Sequence, residues 1–508
     1  MSEALRAICH HCTVGRIWRS AWFIPLLMAS VALVARLHGL GSKPLWYDEV
    51  LTLKRSGLPF PELVADSFHN KHYPLYFLLT KPFATADWSE AALRLPACIF
   101  GAVSVLMAAR IAGDIAGRWA AIATGLLMAL SPLEVQYGQE ARPYALGSAA
   151  MLTAVWGLVR LFRPVDAWAP AKGDGQRSGW IAYALGMAIA LNSIGVAAIG
   201  FVTVNAIVGM LVATRKLPTG WSMRIWFLVN LVILAAWLPG LISFLLANSS
   251  AATRGLNWVP PLTWELGRTV VASLYMLRVS DLLTFEPLAT PVPLLGFAVV
   301  SLAIGGGARS IRWPYGIILI GMTIVLPIVL GLISLAKPMF VPRYLLWSTG
   351  PYFILAGVGL AAVPSTLIRV ALLTAVVFGA TMALWPYYKA DTKPRWDLAA
   401  AYLAQRAQIG DATVVSSGLA RVMLSAYISR MPSATLDPLK AQSKEEILRA
   451  YESGANIWLV HGRAGQGGIL IDHAEFAARW ADLGPARESA VLGRHIIVWR
   501  HARVPSAR

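Results

Sequence analysis

Long runs without a single charged side chain recur along the first three quarters of this chain, and they constrain its fold more than any other feature. A helix that crosses a bilayer core needs about 20 largely apolar residues, with slack for tilt. Such runs lie at 22–35, 95–109, 119–133, 144–159, 180–191, 194–212, 225–246, 288–305, 313–336, 345–363 and 370–387. They predict about eleven spans. Only the polar pair Asn192-Ser193 separates the fifth from the sixth. Charged residues make up 14% of the 508 positions and hydrophobic ones 57%, whereas a soluble domain carries about 25% charge. A soluble protein is excluded. The balance of 44 Lys+Arg against 26 Asp+Glu leaves +18, but these cations are scattered between apolar runs and form no single stripe, so nucleic acid is not the implied partner. Three cysteines exclude a disulfide framework. No small-residue cleavage site follows the first run, so it reads as an anchor and not as a removed signal.

Lys and Arg in short loops resist translocation and therefore mark the inner side. Arg6, Arg16 and Arg19 precede the first run, and Arg110, Arg118, Arg160, Arg163, Lys172, Arg177, Arg215, Lys216, Arg224, Arg309, Arg312 and Arg369 fall in every second loop. Residues 1–20 are then a cytoplasmic segment, 21–388 the membrane domain, and 39–94, 134–143, 247–287 and 337–343 its outer loops. An odd number of spans places residues 389–508 outside as well. There the texture changes to polar helices and short β-rich runs at 412–417, 456–461 and 495–499, which predicts a small α/β domain. Ser443 with Glu446 forms a capping box that opens a helix at Lys444.

The outer loops hold the chemistry-bearing residues. Tyr47-Asp48-Glu49 follows the first run within LWYDEVLTL. Side chains at adjacent helical positions diverge by about 100°, so Asp48 and Glu49 cannot both face one substrate atom. One can act as a base while the other orients, or both can simply complement a helix dipole. The same loop continues through Lys71-His72-Tyr73-Pro74-Leu75-Tyr76 to Ser89-Glu90 and Arg94. Beyond the third run come Glu134, Glu140, Arg142, Pro143 and Tyr144, with Pro143 placed to open the next helix and Glu140 close enough to Arg142 to pair with it. Arg343-Tyr344 closes the last outer loop, and Arg36 and His38 belong to the same surface. Arg94 and Arg343 can either grip a lipid phosphate or snorkel to headgroups. Carboxylates, guanidinium groups, an imidazole and tyrosines thus converge on one membrane face from separate loops. That suits an extracytoplasmic site for a lipid phosphate and a hydroxylated substrate. Two further groupings carry less. Cys9-His10-His11-Cys12 packs four ligand types too tightly to surround a tetrahedral ion, and Gly462, Gly465, Gly467 and Gly468 only loosely echo a phosphate cradle.

The segments LWYDE, HYPLYFLLTK with SEAALRLP, LSPLEVQYGQEARPYAL and MFVPRYLL occur in that order. With them the chain, over roughly residues 20–390, resembles the bacterial glycosyltransferase family 39 type. This is the dolichyl-phosphate-mannose-protein mannosyltransferase-like group of the type-C glycosyltransferases. The resemblance implies a polytopic α-helical membrane enzyme of the plasma membrane. It would move one sugar, mannose or a similar hexose, from a polyprenyl-phosphate carrier to an acceptor hydroxyl with inversion. The acceptor can be protein, lipid or glycan. By position Asp48 is the expected general base and Glu49 its companion. Lys71, His72, Arg94, Arg142 and Arg343 are expected near the donor phosphate, and Tyr47, Tyr76, Glu140, Tyr144 and Tyr344 in support. Phosphate is already a good leaving group, so the chemistry requires neither a general acid nor a metal cofactor. The chain departs from the family pattern at Tyr73 and at Asn192-Ser193. Two other readings of the same residues are a polyprenyl-phosphate aminosugar or pentose transferase acting on lipid A or polysaccharide, and a lipid-linked sugar flippase. Charges at the helix ends and not at midplane count against the flippase.

Overall fold

The computed structural model describes residues 20–85, 87–162, 174–218, 221–246, 259–275, 305–306, 309, 311, 313–431, 443–462, 472–493 and 495–502. Helix α1 (Phe23–Leu37) hands the chain to a cluster of short helices, α2 (Tyr47–Gly57), α3 (Phe60–His69) and α4 (Leu75–Thr80). Ser89 caps α5 (Glu90–Ala116) by accepting the Ala92 N–H. Next come α6 (Arg118–Ala129) and α7 (Pro132–Gly138), whose axes meet at 64° where Ser131-Pro132 interrupts the helix. They are followed by α8 (Tyr144–Leu161), α9 (Asp174–Leu191), α10 (Ala197–Ala213), α11 (Met223–Leu246), α12 (Trp264–Tyr275) and α13 (Tyr315–Ala336). The short α14 (Pro342–Leu345) leads through a 3-10 turn into α15 (Thr349–Ala361), and α16 (Thr366–Lys389) closes the helical region.

Ten of the eleven expected apolar runs coincide with these helices, and 288–305 lies almost wholly outside the described residues. By length and composition, six helices among the described residues can cross a bilayer, or seven if the bent α6–α7 pair is one span. Against seven, four of the eleven runs make up the difference: α1 and α10 are short for a crossing, α9 carries Asp174 and Arg177 at its start, and 288–305 lies almost wholly outside the described residues. Outward-facing leucines and isoleucines, such as Leu228, Leu231, Ile328 and Leu332, suit a lipid solvent. Small residues allow close helix packing: a Cβ on Gly157 would sit 2.5 Å from the Tyr183 amide nitrogen, and one on Gly186 2.5 Å from that of Ala154. Without those hydrogens in place of side chains, α8 and α9 could not touch backbone to backbone.

The C-terminal region comprises α17 (Trp396–Arg406), β1 (Ala412–Val415), α18 (Gly418–Ile428), α19 (Lys444–Glu452), β2 (Ile457–Gly462), α20 (His473–Ala478), β3 (Glu488–Leu492) and β4 (Ile496–His501). Its four strands form one sheet in the order β1-β2-β4-β3, parallel between β1 and β2 and antiparallel elsewhere. Ser443 and Glu446 make the reciprocal capping box at α19. The sheet region does not stand apart from the membrane helices. Trp396, Leu403, Met423 and Tyr427 share one apolar cluster with Leu45, Val50, Trp88 and Leu93 from the segment between α1 and α5 and from α5 itself. Residues 40–53 are therefore pressed between the helical bundle and the C-terminal region.

Candidate active site

Helix α2 begins at the one place where the chain leaves extended backbone at Trp46, and its first turn is Tyr47-Asp48-Glu49. Acids here complement the positive end of the helix. The divergence expected of adjacent positions is realised in full. Glu49 is entirely buried, whereas the Asp48 side chain keeps 24% of its surface. The Glu49 carboxylate accepts from Arg94 Nε (2.7 Å) and Nη2 (2.8 Å), from Lys393 Nζ (2.9 Å), and from the N–H groups of Trp46 (3.3 Å) and Ala141 (3.0 Å). Burial alone would raise its pKa, but the Arg94 and Lys393 charges with these hydrogen bonds hold it at about 2. A carboxylate so engaged has no lone pair left for a substrate proton. Glu49, expected beside Asp48 as catalytic, is instead the knot that fastens the loop.

Arg94 holds the other side of that knot. Its remaining donors go to the carbonyls of Leu40 (2.9 Å), Lys43 (2.8 Å) and Pro44 (2.8 Å). With the two bonds to Glu49, all five N–H groups of a guanidinium are used. The phosphate contact expected of Arg94 has no donor available to it. Arg36 is likewise not at the surface expected for it. It is fully buried, donates to the Ala32 and Ala129 carbonyls and lies 3.8 Å from Glu134. Gly101 and Gly138 leave the slot that it fills: a Cβ on either would fall within 2.7 Å of its Nε.

Asp48 has different company. Arg343 Nη1, at the start of α14, donates to Asp48 Oδ2 at 2.9 Å, and the same guanidinium lies over the rings of Trp46 and Tyr344. Arg142 Nη1 reaches the Asp48 carbonyl (3.3 Å) and Thr52 Oγ1 (3.4 Å), while its Nε is buried with no hydrogen-bond partner among the described residues. Arg142 makes no ion pair with Glu140 among the described residues; only its backbone N–H bonds the Glu140 carbonyl. Pro143 is the residue before α8 and not its first. His72 is half-buried, packs edge-on against Phe77, and is held well below the ordinary imidazole range by burial and by the Arg142 and Arg55 charges. It is a neutral group at pH 7. Lys71 takes a left-handed backbone conformation, φ 57°, at the turn before it. Tyr76 is fully buried beside Phe77, and Tyr144 meets both Tyr137 and Tyr344 edge to face. Tyr47 is partly buried, and burial followed by the Asp48 charge raises its phenol pKa.

Glu140 stands in the turn between α7 and α8, with no exposed surface and neither carboxylate oxygen hydrogen-bonded among the described residues. Burial raises its pKa to about 7 against the pull of Lys393.

Two functional candidates escaped sequence reasoning. Arg55 lies two turns along α2 from Asp48, a spacing that returns to the same helix face and could have been noticed. It bonds Asp66, rests over the Phe77 ring, and leaves Nη1 buried without a partner among the described residues. Lys393 offers no such signal, since its partner is 344 positions away. Among the described residues no three His, Cys, Asp or Glu side chains cluster as metal ligands, and Cys9–Cys12 and Gly465–Gly468 lie outside them. The cluster therefore comprises one part-exposed carboxylate, guanidinium groups with spare donors and a neutral imidazole, all at one end of the bundle. It can take a proton and hold an anion.

Residues 71–242 match the family model described as dolichyl-phosphate-mannose-protein mannosyltransferase. No curated protein sequence matches the chain. Among solved structures it is similar to ArnT from Cupriavidus metallidurans bound to undecaprenyl phosphate, with a TM-score of 0.58 and 14% identity, covering 95% of this chain and 98% of that one. The apo state of the same protein gives 0.55 at 14% identity, covering 94% and 97%. The archaeal oligosaccharyltransferase AglB from Archaeoglobus fulgidus, in complex with an inhibitory peptide and a dolichol-phosphate, gives 0.50 at 12% identity, covering 86% and 69%.

Proposed function

We propose that this chain, a multi-pass membrane protein with the type-C glycosyltransferase fold, transfers one sugar from a polyprenyl-phosphate carrier to an acceptor hydroxyl with inversion. The observation that carries this reading is Asp48: a part-exposed carboxylate bonded to Arg343 and flanked by Arg142, next to a glutamate that is wholly occupied. The family match over residues 71–242 supports it, and so do the isoprenoid phosphates bound by the two similar proteins.

In this mechanism an Asp48 oxygen takes the acceptor's hydroxyl proton while the acceptor oxygen attacks the anomeric carbon from the face opposite the phosphate. The bond from the anomeric carbon to the phosphate oxygen breaks, its electron pair leaves with the phosphate, and the carrier gains one negative charge. Arg343, Arg142 and Arg55 are the cations placed to bind that growing charge, and neutral His72 can donate to a phosphate oxygen. The partly exposed Tyr344 ring, beside the Arg343 guanidinium, is available for a sugar to stack against. Mannose or a similar hexose is the proposed sugar, in keeping with the family description. The distribution of Lys and Arg supports an inside N-terminus in a bacterial plasma membrane, with the site and the C-terminal region on the outer face.

The test is direct. Purified full-length chain in lipid nanodiscs is given radiolabelled polyprenyl-phosphate hexoses, an aminosugar and a pentose, with hydroxylated acceptors, and release of polyprenyl phosphate together with labelled product is followed. Dependence of both on Asp48 is expected. Movement of the intact donor across a bilayer, with no bond cleaved from any donor, would overturn the reading.

A further inference from the structure

The segment joining α16 to α17 connects a membrane helix to the C-terminal region, a place where a chain ordinarily runs over the surface. Here it is buried. Thr392 has no exposed surface and Lys393 only 3%, although a lysine ammonium is among the costliest groups to bury. Lys393 Nζ lies 2.9 Å from Glu49 Oε2. Glu49 does not need it for neutralisation, because Arg94 already gives that carboxylate two charged hydrogen bonds. The second acid within its field is Glu140, whose oxygens have no hydrogen-bond partner among the described residues. Lys393 therefore stands where three pieces of chain meet: the start of α2, the turn before α8, and the linker itself.

Reciprocal ties hold the junction closed. From the first outer loop, Lys43 Nζ donates to the Tyr387 carbonyl (2.5 Å) and to Thr392 Oγ1 (3.1 Å). From α18, Tyr427 accepts the Leu45 N–H at 2.6 Å and donates to Glu90 Oε1 at 3.1 Å. Asp48 and Glu49 share one helical turn, with a rise of about 1.5 Å between them, so a displacement of Glu49 displaces Asp48. The partner of Asp48, Arg343, is fixed on another helix and does not follow.

We propose that Lys393 is a positioning residue for the transfer reaction: by clamping Glu49 from the C-terminal side it sets where Asp48 stands relative to Arg343 and the substrates. The C-terminal region is then part of the catalytic apparatus and not an appendage. This rests on the reaction proposed above.

Lys393→Met retains the buried stem and removes the ammonium, and Lys393→Arg restores a cation. Both are made in the full chain and compared with the parent in nanodiscs for kcat, donor KM and thermal unfolding. A misplacement on the order of 1 Å costs roughly 100-fold in rate. K393M is accordingly expected to lower kcat by about 10- to 100-fold per folded molecule, with donor KM within about 3-fold, and K393R to recover most of the loss. Parental kcat in folded K393M overturns the proposal, as does a loss explained wholly by unfolded protein. Hydrogen exchange of amides 45–53 is measured in parallel. If the parent transfers no sugar, the proposed reaction is at fault, and exchange then decides the clamp: faster exchange in K393M supports it and unchanged exchange overturns it.

Discussion

Arg343 reaches across 295 positions of sequence to place Nη1 2.9 Å from Asp48 Oδ2, joining the start of α14 to the first turn of α2. The ion pair orients one carboxylate oxygen, and in the proposed reaction the other takes the acceptor's proton. Asp48→Asn retains the shape and the hydrogen-bonding capacity but cannot take a proton. Since a positioned general base contributes about 100- to 10,000-fold, kcat should fall by that range with donor KM little changed. Steady-state assays on the reconstituted protein check both values.

Arg142 and Arg94 are both buried arginines near the site, yet they should fail in different ways. If Arg142, which bonds the Asp48 carbonyl and Thr52, binds the donor phosphate as proposed, about 1.5–3 kcal/mol of binding corresponds to roughly 10- to 150-fold in donor KM for Arg142→Ala. Arg94→Ala leaves the buried Glu49 carboxylate with Lys393 as its one remaining charged partner and takes the donors from the Leu40, Lys43 and Pro44 carbonyls, at a cost of about 3–5 kcal/mol of stability, and should appear as lost folded protein. Arg94→Lys should not rescue it, because one ammonium cannot replace five donors in a fixed plane. Thermal unfolding and donor titration separate the two cases.

Two carboxyl groups predict opposite responses to pH. The folded pKa of Glu49, about 2, lies below its ordinary 4.5, so its contribution to stability is complete above 4.5 and is lost as pH falls towards 2. Glu140 keeps its proton up to about 7 in the folded chain while the unfolded chain releases it near 4.5. Stability therefore falls as pH rises from 4.5 to 7. Glu140→Gln should make the protein more stable than the parent at pH 8, on the order of 1–3 kcal/mol, with the advantage gone below 4.5. Unfolding temperatures measured across that window test the sign.

Tyr427 ties α18 through its hydroxyl to Leu45, just before α2, and to Glu90 at the start of α5. Tyr427→Phe leaves the Leu45 N–H buried without a partner, which costs about 1–3 kcal/mol. A lowered unfolding temperature with an intact C-terminal sheet, followed by circular dichroism, is the expected result.

The helical architecture was legible because lipid imposes long uncharged runs, and ten of them fall on helices, although α5 extends well beyond its run at both ends and 119–133 is broken between α6 and α7. The capping box at Ser443 and Glu446 was legible because it is local. Other features required tertiary knowledge. An arginine heading an apolar run reads the same whether it grips a phosphate, meets lipid headgroups or is consumed by Glu49, and only the fold assigns Arg94 to the last of these. Glu49 looked like a second catalytic acid because burial cannot be read from adjacency. Strand β3 was missed, since its alternation of exposed and half-buried residues at a sheet edge resembles a surface loop. Lys393 carries no pattern, and its meaning comes entirely from a residue 344 positions earlier.

That long separation has a consequence for biogenesis. The loop around Asp48 leaves the ribosome early, but Tyr387, Thr392, Lys393 and Tyr427, which close over it, are made 344 to 382 positions after their partners in that loop. At about 5–20 residues per second, 344 positions correspond to roughly 20–70 s of further synthesis. Throughout that interval the nascent polypeptide carries Asp48 without the C-terminal contacts that close over its loop, so on the proposed reaction transfer begins only once those contacts have formed.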